Sequence, residues 1–194
     1  MENVVLGLLI IQSLTIYELN QAFKQGISMF YSASYGSLQI AVKNLLGKGM
    51  IVFEERVDKG RNKKIYSITE QGKIAFYRWM LEEIPANKLE VTALSKVYFL
   101  GLIQGAEQKE QVLNEILSKI QLVQGELSEM DEALSRIEYP EPYREIYTYQ
   151  LKTLDYGRKA HVFAREWFQA LLDELEYSKN AGDDRMNEAT GLLP

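Results

Sequence analysis

Apolar residues recur with a strict alternation of three and four positions between residues 113 and 137. The series is Leu113, Ile116, Ile120, Val123, Leu127, Met130, Leu134 and Ile137. This a/d spacing predicts a long helix with one continuous apolar seam, because a repeat of 3.5 residues keeps those side chains on one side. Such a seam must be covered along its length, so the second half of the chain is expected to fold around paired long helices.

A second long helix is predicted after the break at Tyr139–Pro142. One apolar face consists of Tyr147, Leu154, Ala164, Phe168, Leu171 and Leu175, and a second face of Tyr156, Ala160, Phe163 and Trp167. Two apolar faces require two partners, and the pattern allows one of them to be another subunit. The last residues, 179–194, contain few apolar side chains and are expected to form a disordered tail.

The first 84 residues have a different organisation, beginning with three short helices. The segments 2–11, 13–26 and 32–50 show helical spacing, with Ser13 or Thr15 as cap of the second helix and Ser32 or Ser34 as cap of the third. Glu18 lies three residues after Thr15, as in a capping box. Gly47 or Gly49 is expected to end the third helix, whose outer face is polar and carries no acid.

The period then changes from helical to alternating. Residues 50–57 and 64–69 are predicted as two strands of a hairpin, and a helix capped by Thr69 follows. Four of the six residues from Lys59 to Lys64 are Lys or Arg, although the whole chain has a net charge of −5. A helix-turn-helix followed by a hairpin with a cationic tip is typical of a winged helix that binds DNA, in which the third helix enters the major groove and the tip meets phosphates.

The motifs of this first half resemble those of the PadR family of transcriptional repressors. The segments that carry the resemblance are "VLGLLIIQSLTIYEL", "GSLQIAVKNLLGKGMI" at 36–51 and "KKIYSITEQG" at 63–72. The helical second half, with "REWF" at 165–168, is similar to the larger, virulence-activator-like branch. Positions 39 and 44 depart from the family pattern, with Gln and Asn in place of the expected Tyr and Arg.

The resemblance implies a mainly α protein with an N-terminal winged helix-turn-helix domain, 1–84, and a C-terminal antiparallel long-helix dimerisation domain, 85–178. It implies a cytoplasmic homodimer that binds an imperfect palindrome in double-stranded operator DNA and regulates transcription, as a repressor. The DNA-binding candidates are Ser34, Tyr35, Ser37, Gln39, Lys43, Lys59, Arg61, Lys63 and Lys64. The dimer-interface candidates are Leu113, Ile120, Leu127, Leu134, Phe163, Trp167 and Leu171. No cofactor is expected, although family members are often released by a small molecule, so an effector of unknown identity is allowed.

Other classes of protein are disfavoured by the residues themselves. The chain has no cysteine and one histidine, His161, without ligand or catalytic partners at suitable spacing, so neither a metal site nor an enzyme is expected. The longest apolar run near the start, eight residues, is too short to span a membrane. A MarR-type regulator would place helices before the winged helix, which here starts at about residue 2. The main alternative is a winged-helix protein-interaction module that does not bind DNA.

Overall fold

The computed structural model describes residues 1–58, 61–138 and 140–190, and for Asp58, Arg61 and residues 180–190 it describes the backbone alone. The chain divides into two compact units, one formed by residues 1–83 with 90–103 and the other by residues 84–89 with 104–194. The fold is mainly helical with one small sheet, as the sequence predicts.

The described residues of the first unit form five α-helices and three strands. In chain order they are α1 (Glu2–Ile11), β1 (Leu14–Thr15), α2 (Ile16–Gln25), α3 (Tyr35–Gly47), β2 (Ile51–Asp58), β3 (Arg61–Ile68), α4 (Glu70–Leu81) and α5 (Leu89–Tyr98), with single 3-10 turns at Ile27–Met29 and Leu100–Leu102. A further 3-10 turn, Ala86–Lys88, lies in the segment 84–89 of the second unit. The strands form an antiparallel sheet in the order β1-β3-β2. The helix-turn-helix α2–α3 followed by the β2–β3 hairpin is a winged helix.

Helix α1 lies at the centre of this unit. Its residues Val4, Val5, Leu6, Leu8 and Leu9 are all buried, on several faces of the helix, because other elements surround it. Leu19 from α2, Leu45 from α3 and Phe76 from α4 complete the same core. The recognition-type helix α3 is therefore fixed by its apolar face to a core that the whole domain shares.

The hairpin is more extended than the sequence pattern indicates. The basic segment was expected to form a loop, but β3 begins at Arg61 and pairs residue by residue with β2 as far as Asp58. One facing pair combines opposite charges, Glu55 with Lys64, and the next combines two cations, Arg56 with Lys63. The first pair stabilises the antiparallel strands, because opposite charges on facing residues attract each other.

Helix α5 packs with the first unit, whereas the sequence had suggested that everything after residue 84 belongs to the second. Phe99, directly after α5, is 1% exposed, and its ring centroid lies 5.7 Å from that of Phe76. Lys96 is also buried and donates a hydrogen bond to the carbonyl oxygen of Glu82. These contacts attach the segment 90–103 to the winged helix.

The second unit is built from two long antiparallel helices, α6 (Ala106–Ser135) and α7 (Arg144–Thr190), with a 3-10 turn at Glu141–Tyr143. Their direction follows from the ion pairs, since Glu110 near the start of α6 binds Lys179 and Asp131 near its end binds Arg158. The predicted tail at 179–194 overlaps the last turns of α7, and residues 191–194 lie outside the described residues.

Candidate nucleic-acid interface

Two capping boxes fix the N-terminal ends of helices α2 and α3. The Thr15 hydroxyl accepts from the Glu18 backbone N–H at 3.3 Å, and the Thr15 backbone N–H donates to the Glu18 carboxylate at 2.8 Å. At α3, Ser34 and Ser37 form the same reciprocal pair with two bonds of 3.1 Å. The predicted caps Thr15 and Ser34 are thus confirmed, while the alternatives Ser13 and Ser32 are not the caps.

The C-terminal end of α3 depends on a glycine. Gly49 has a φ of +67°, in the left-handed region that side-chain-bearing residues rarely adopt. Its N–H donates to the Leu46 carbonyl, and the Met50 N–H donates to the Leu45 carbonyl, both at 3.0 Å. This turn leads directly from the recognition-type helix into β2, so the hairpin position relative to α3 is fixed within the domain.

The outer face of α3 presents few side chains that are free of local bonds. The hydroxyl of Ser37 donates to the Ser34 carbonyl at 2.7 Å, so both predicted serines serve the helix cap. Asn44 donates to Glu2 at 3.1 Å, and Lys48 binds the same carboxylate at 2.6 Å. The Lys48 hydrogen bond, followed by that of Asn44, lowers the pKa of Glu2 despite partial burial. The C-terminal polar residues of α3 therefore anchor α1.

Besides Asn44, four side chains are exposed along the outer face of α3. Three were predicted from the sequence: Tyr35 at 45% exposure, Gln39 and Lys43. The fourth is Ile40, which is 62% exposed and was missed because its apolar character suggested nothing polar to bind. The signal was available, since Ile40 falls off the buried spacing of Leu38, Ala41, Val42 and Leu45.

One face of the hairpin carries an ordered cation. Lys64 Nζ lies 4.3 Å from the ring centroid of Phe53 and 3.6 Å from Oε1 of Glu55. Phe53 in turn contacts Tyr66, with ring centroids 5.9 Å apart. Burial, and secondarily the nearby Tyr35, raises the pKa of Tyr66. This chain of neighbours puts Lys64 on the sheet face that also borders the N-terminal end of α3.

Lys63 lies on the opposite face of β3, because neighbours on a strand alternate. It contributes to lowering the pKa of Glu18, behind the larger effect of the Thr15 hydrogen bonds. The two lysines therefore split between the faces, with Lys64 on the α3 side. Of the two cations predicted nearer the tip, Lys59 lies outside the described residues, and only the backbone of Arg61 is described.

The predicted interface residues of the second unit fall into two groups. Leu113 and Ile120 are buried within one chain, and Leu127 and Leu134 are half-buried, with Leu127 facing Gly157 of α7. The seam of α6 is thus largely covered by α7. Phe163 and Trp167 instead remain 68% and 43% exposed, while Leu171 is half-buried.

The exposed face of α7 is longer than predicted. Ile146, Tyr149, Tyr156, Phe163 and Trp167 are all at least 43% exposed and keep heptad spacing with Thr153, Ala160 and Ala170 between or after them. We call these five residues the α7 stripe. Ile146 and Tyr149 belong to neither of the two faces predicted from the sequence, and they extend the second face by two positions of the repeat.

The second unit also contains an apolar cavity of about 270 Å³ near the α6–α7 turn. It is lined by Met130, Leu134, Tyr147, Gln150, Leu151, Thr153 and Leu154.

His161 donates through Nδ1 to the Gly157 carbonyl at 2.8 Å. Among the described residues, no group of three His, Cys, Asp or Glu side chains is arranged to hold a metal ion, and none of their helices is long and apolar enough to cross a membrane.

Comparison with known proteins agrees with the class that this fold defines, the winged-helix transcription regulators. Residues 5–78 match the sequence model of the transcriptional regulator PadR-like family. The negative transcriptional regulator PadR of Bacillus subtilis is 23% identical over 175 residues, covering 88% of this chain and 96% of that protein. Residues 5–78 thus match a PadR-like domain, and the chain is similar over most of its length to a transcriptional regulator of that family.

Two solved structures are also similar over most of the chain. Bacillus subtilis PadR in complex with operator DNA is 21% identical, with a TM-score of 0.43, covering 90% of this chain and 98% of that one. The PadR-like regulator BC1756 of Bacillus cereus is 24% identical, with a TM-score of 0.40, covering 90% and 94%.

Proposed function

We propose that this chain is a homodimeric, sequence-specific DNA-binding repressor. The observation that carries the proposal is the exposed α3 face with Tyr35, Gln39 and Lys43, in a domain whose hairpin also presents Lys64. No acidic residue occurs between Tyr31 and Phe53. A helix face of donors and cations without carboxylates suits a polyanion, because phosphate contacts supply a large share of the affinity for DNA.

In this proposal α3 enters the major groove and the side chains divide the work. Gln39 can bond both the N6 amino group and N7 of an adenine, and Lys43 can donate to guanine or to a phosphate. Lys64, with Lys59, Arg61 and Lys63 as the predicted cations nearby, binds the backbone. The first domain, residues 1–84, carries DNA binding, and the long helices that follow residue 104, within the predicted range 85–178, carry dimerisation.

The α7 stripe is the proposed subunit contact. An exposed heptad row of aromatic and aliphatic side chains is typical of a helix that pairs with another helix. Two copies of the winged helix would then bind two half-sites of an imperfect palindrome.

The relative from Bacillus subtilis is a negative regulator, which supports repression here. Action on DNA would place the protein in the cytoplasm, and an effector remains a prediction.

A second candidate is a winged-helix interaction module that does not bind DNA. It is favoured by Glu55, which lies 3.6 Å from Lys64 and offsets its charge, and by the binding of Asn44 to Glu2. Both contacts remove groups that a DNA-binding domain would use.

A titration with duplex DNA from beside the protein's own gene separates the two candidates. The repressor proposal predicts tighter binding to that DNA than to a shuffled duplex of equal length. Gln39→Ala should relax the preference at one base pair per half-site, a discrimination of about 1–3 kcal/mol. Gln12→Ala is the control, because Gln12 is an exposed residue at the end of α1. This variant should leave the preference for base pairs unchanged. Equal binding to both duplexes, or none, would favour the interaction module.

A further inference from the structure

The exposure of Ile40 is unexplained by the packing of the first unit. Its side chain is 62% exposed at the middle of α3, while every apolar residue on the other face of the helix is buried or half-buried. Single exposed apolar residues are common on protein surfaces. The position of this one, on the face proposed to enter a groove, gives it a specific chemical role.

Glycine residues flank Ile40 on the same side of the helix. Gly36 lies four residues before it and Gly47 seven residues after it, so all three share one stripe of α3. A Cβ at Gly47 would meet no atom within 4 Å, and one at Gly36 would meet only the Ser34 hydroxyl, at 3.7 Å. The fold of the described residues therefore does not require these positions to be bare. Their lack of side chains leaves Ile40, with Lys43 one turn later, as the group that projects from the stripe, and Ile40 is its one apolar side chain.

The groups beside this stripe are suited to DNA rather than to an apolar protein surface. Gln39 and Lys43 are both exposed on one side of it, and neither lies beside an acid in sequence. Asn44, on the other side, is bound to Glu2 and is not available as a reader. A cation and an amide next to an isolated aliphatic side chain match a major groove, where thymine presents a methyl group among donors and acceptors.

We propose that Ile40 is a specificity-determining residue that contacts the 5-methyl group of a thymine. This inference rests on the proposed DNA binding and adds to it a named base. Neither Gln39 nor Lys43 offers an aliphatic surface of this kind at its end. A hydrogen bond cannot distinguish thymine from uracil, the base of deoxyuridine, because the two bases differ only in that methyl group.

The test starts with selection of duplexes from a random-sequence pool by the full-length protein. Each thymine of the resulting consensus is then replaced singly by deoxyuridine, and affinities are measured at one salt concentration. At one position per half-site the wild type should bind the thymine duplex about fourfold more tightly, as expected for one buried methyl group. Ile40→Ala should bind the two duplexes equally, with an unchanged salt dependence, because Ile40 carries no charge.

Ile74→Ala is the matched control, since Ile74 is 59% exposed in the same unit but lies on α4. This variant should keep the preference for the methylated base. Two results would overturn the inference while leaving DNA binding intact. In the first, the wild type binds no thymine duplex more tightly than its deoxyuridine counterpart. In the second, the preference for thymine survives in Ile40→Ala. Failure of the wild type to enrich any sequence would instead overturn the proposed function.

Discussion

Individual charges of the hairpin are paired within the chain, and in the proposed function this pairing limits the charge that the hairpin offers to DNA. Glu55 accepts a hydrogen bond from Asn62 at 3.1 Å and lies 3.6 Å from Lys64, on the sheet face that borders α3. Glu54 binds Arg56 at 2.7 Å on the other face. The same strand thus carries one acid on each side, which makes the two faces separately testable.

Replacing Glu55 by Gln should free Lys64 for a phosphate. We expect Glu55→Gln to bind random-sequence DNA more tightly and to increase the slope of log affinity against log salt by up to about 0.9, the contribution of one phosphate contact. Fluorescence anisotropy over a salt series measures both quantities. Glu54→Gln removes the same charge from the opposite face and should change the slope less. Equal effects of the two variants would mean that Lys64 does not face DNA.

Gly72 shows how closely α4 approaches the hairpin. A Cβ at this position would lie 2.1 Å from the carbonyl oxygen of Met50, a separation that requires the backbone to move. We expect Gly72→Ala to lower the free energy of unfolding by about 1–3 kcal/mol, as overpacked sites do. Gly47→Ala is the control, because its Cβ has open space and should stabilise α3 by up to about 1 kcal/mol. Urea denaturation compares the two, and a tolerated Gly72→Ala would contradict the close approach.

Helix α2 owes part of its stability to the capping box formed by Thr15 and Glu18. The Thr15 hydrogen bonds lower the pKa of Glu18 in the folded chain. Because the folded-state pKa is depressed, the stabilisation is present above the unfolded value of about 4.3 and is lost as pH falls through the folded pKa.

Thr15→Ala should therefore reduce stability by about 1 kcal/mol at neutral pH, the usual value of an N-cap. Glu18→Gln should show less loss of stability than the wild type when the pH is lowered from 6 to 3. Thermal unfolding at a series of pH values measures this difference. An unchanged acid profile in Glu18→Gln would show that the carboxylate does not hold the cap.

The elements of the fold were largely predictable from the sequence, but their ends and several partners were not. The spacing of Leu38, Ala41, Val42 and Leu45 predicts α3 because a buried helix face depends on local period alone. Strand β1, only Leu14–Thr15, carries no period long enough to detect. The extension of β3 to Arg61 depends on partners in β2 that lie across the hairpin. The bonds from Asn44 and Lys48 to Glu2 join residues more than 40 positions apart, which no local pattern reveals.

At the scale of the whole molecule, the proposed pairing of two chains depends on the α7 stripe. Phe163→Asp places a charge in the middle of this exposed row, where it would be buried if two copies pair. We expect the variant to keep its helical content but to become monomeric and to lose affinity for specific DNA, because two half-sites must be held together. Light scattering and circular dichroism give the two readouts.

Val162→Asp is the matched control for this prediction. Val162 is 49% exposed on the same helix but lies off the stripe, beside Gln124 and Ser128. It should remain a dimer. A dimer that persists in Phe163→Asp would place the subunit contact elsewhere, and a monomeric wild type would remove the stripe from the account altogether.

The most direct measurement of the central claim is the affinity of the full-length protein for a selected duplex and for the same duplex with its sequence scrambled, at physiological salt and with the stoichiometry determined. Sequence readout by α3 in a dimer predicts two chains per selected duplex and at least about 10³-fold weaker binding to the scrambled one. Equal affinity for the two duplexes, or one chain per duplex with no preference, would contradict the account and leave the chain as an interaction module.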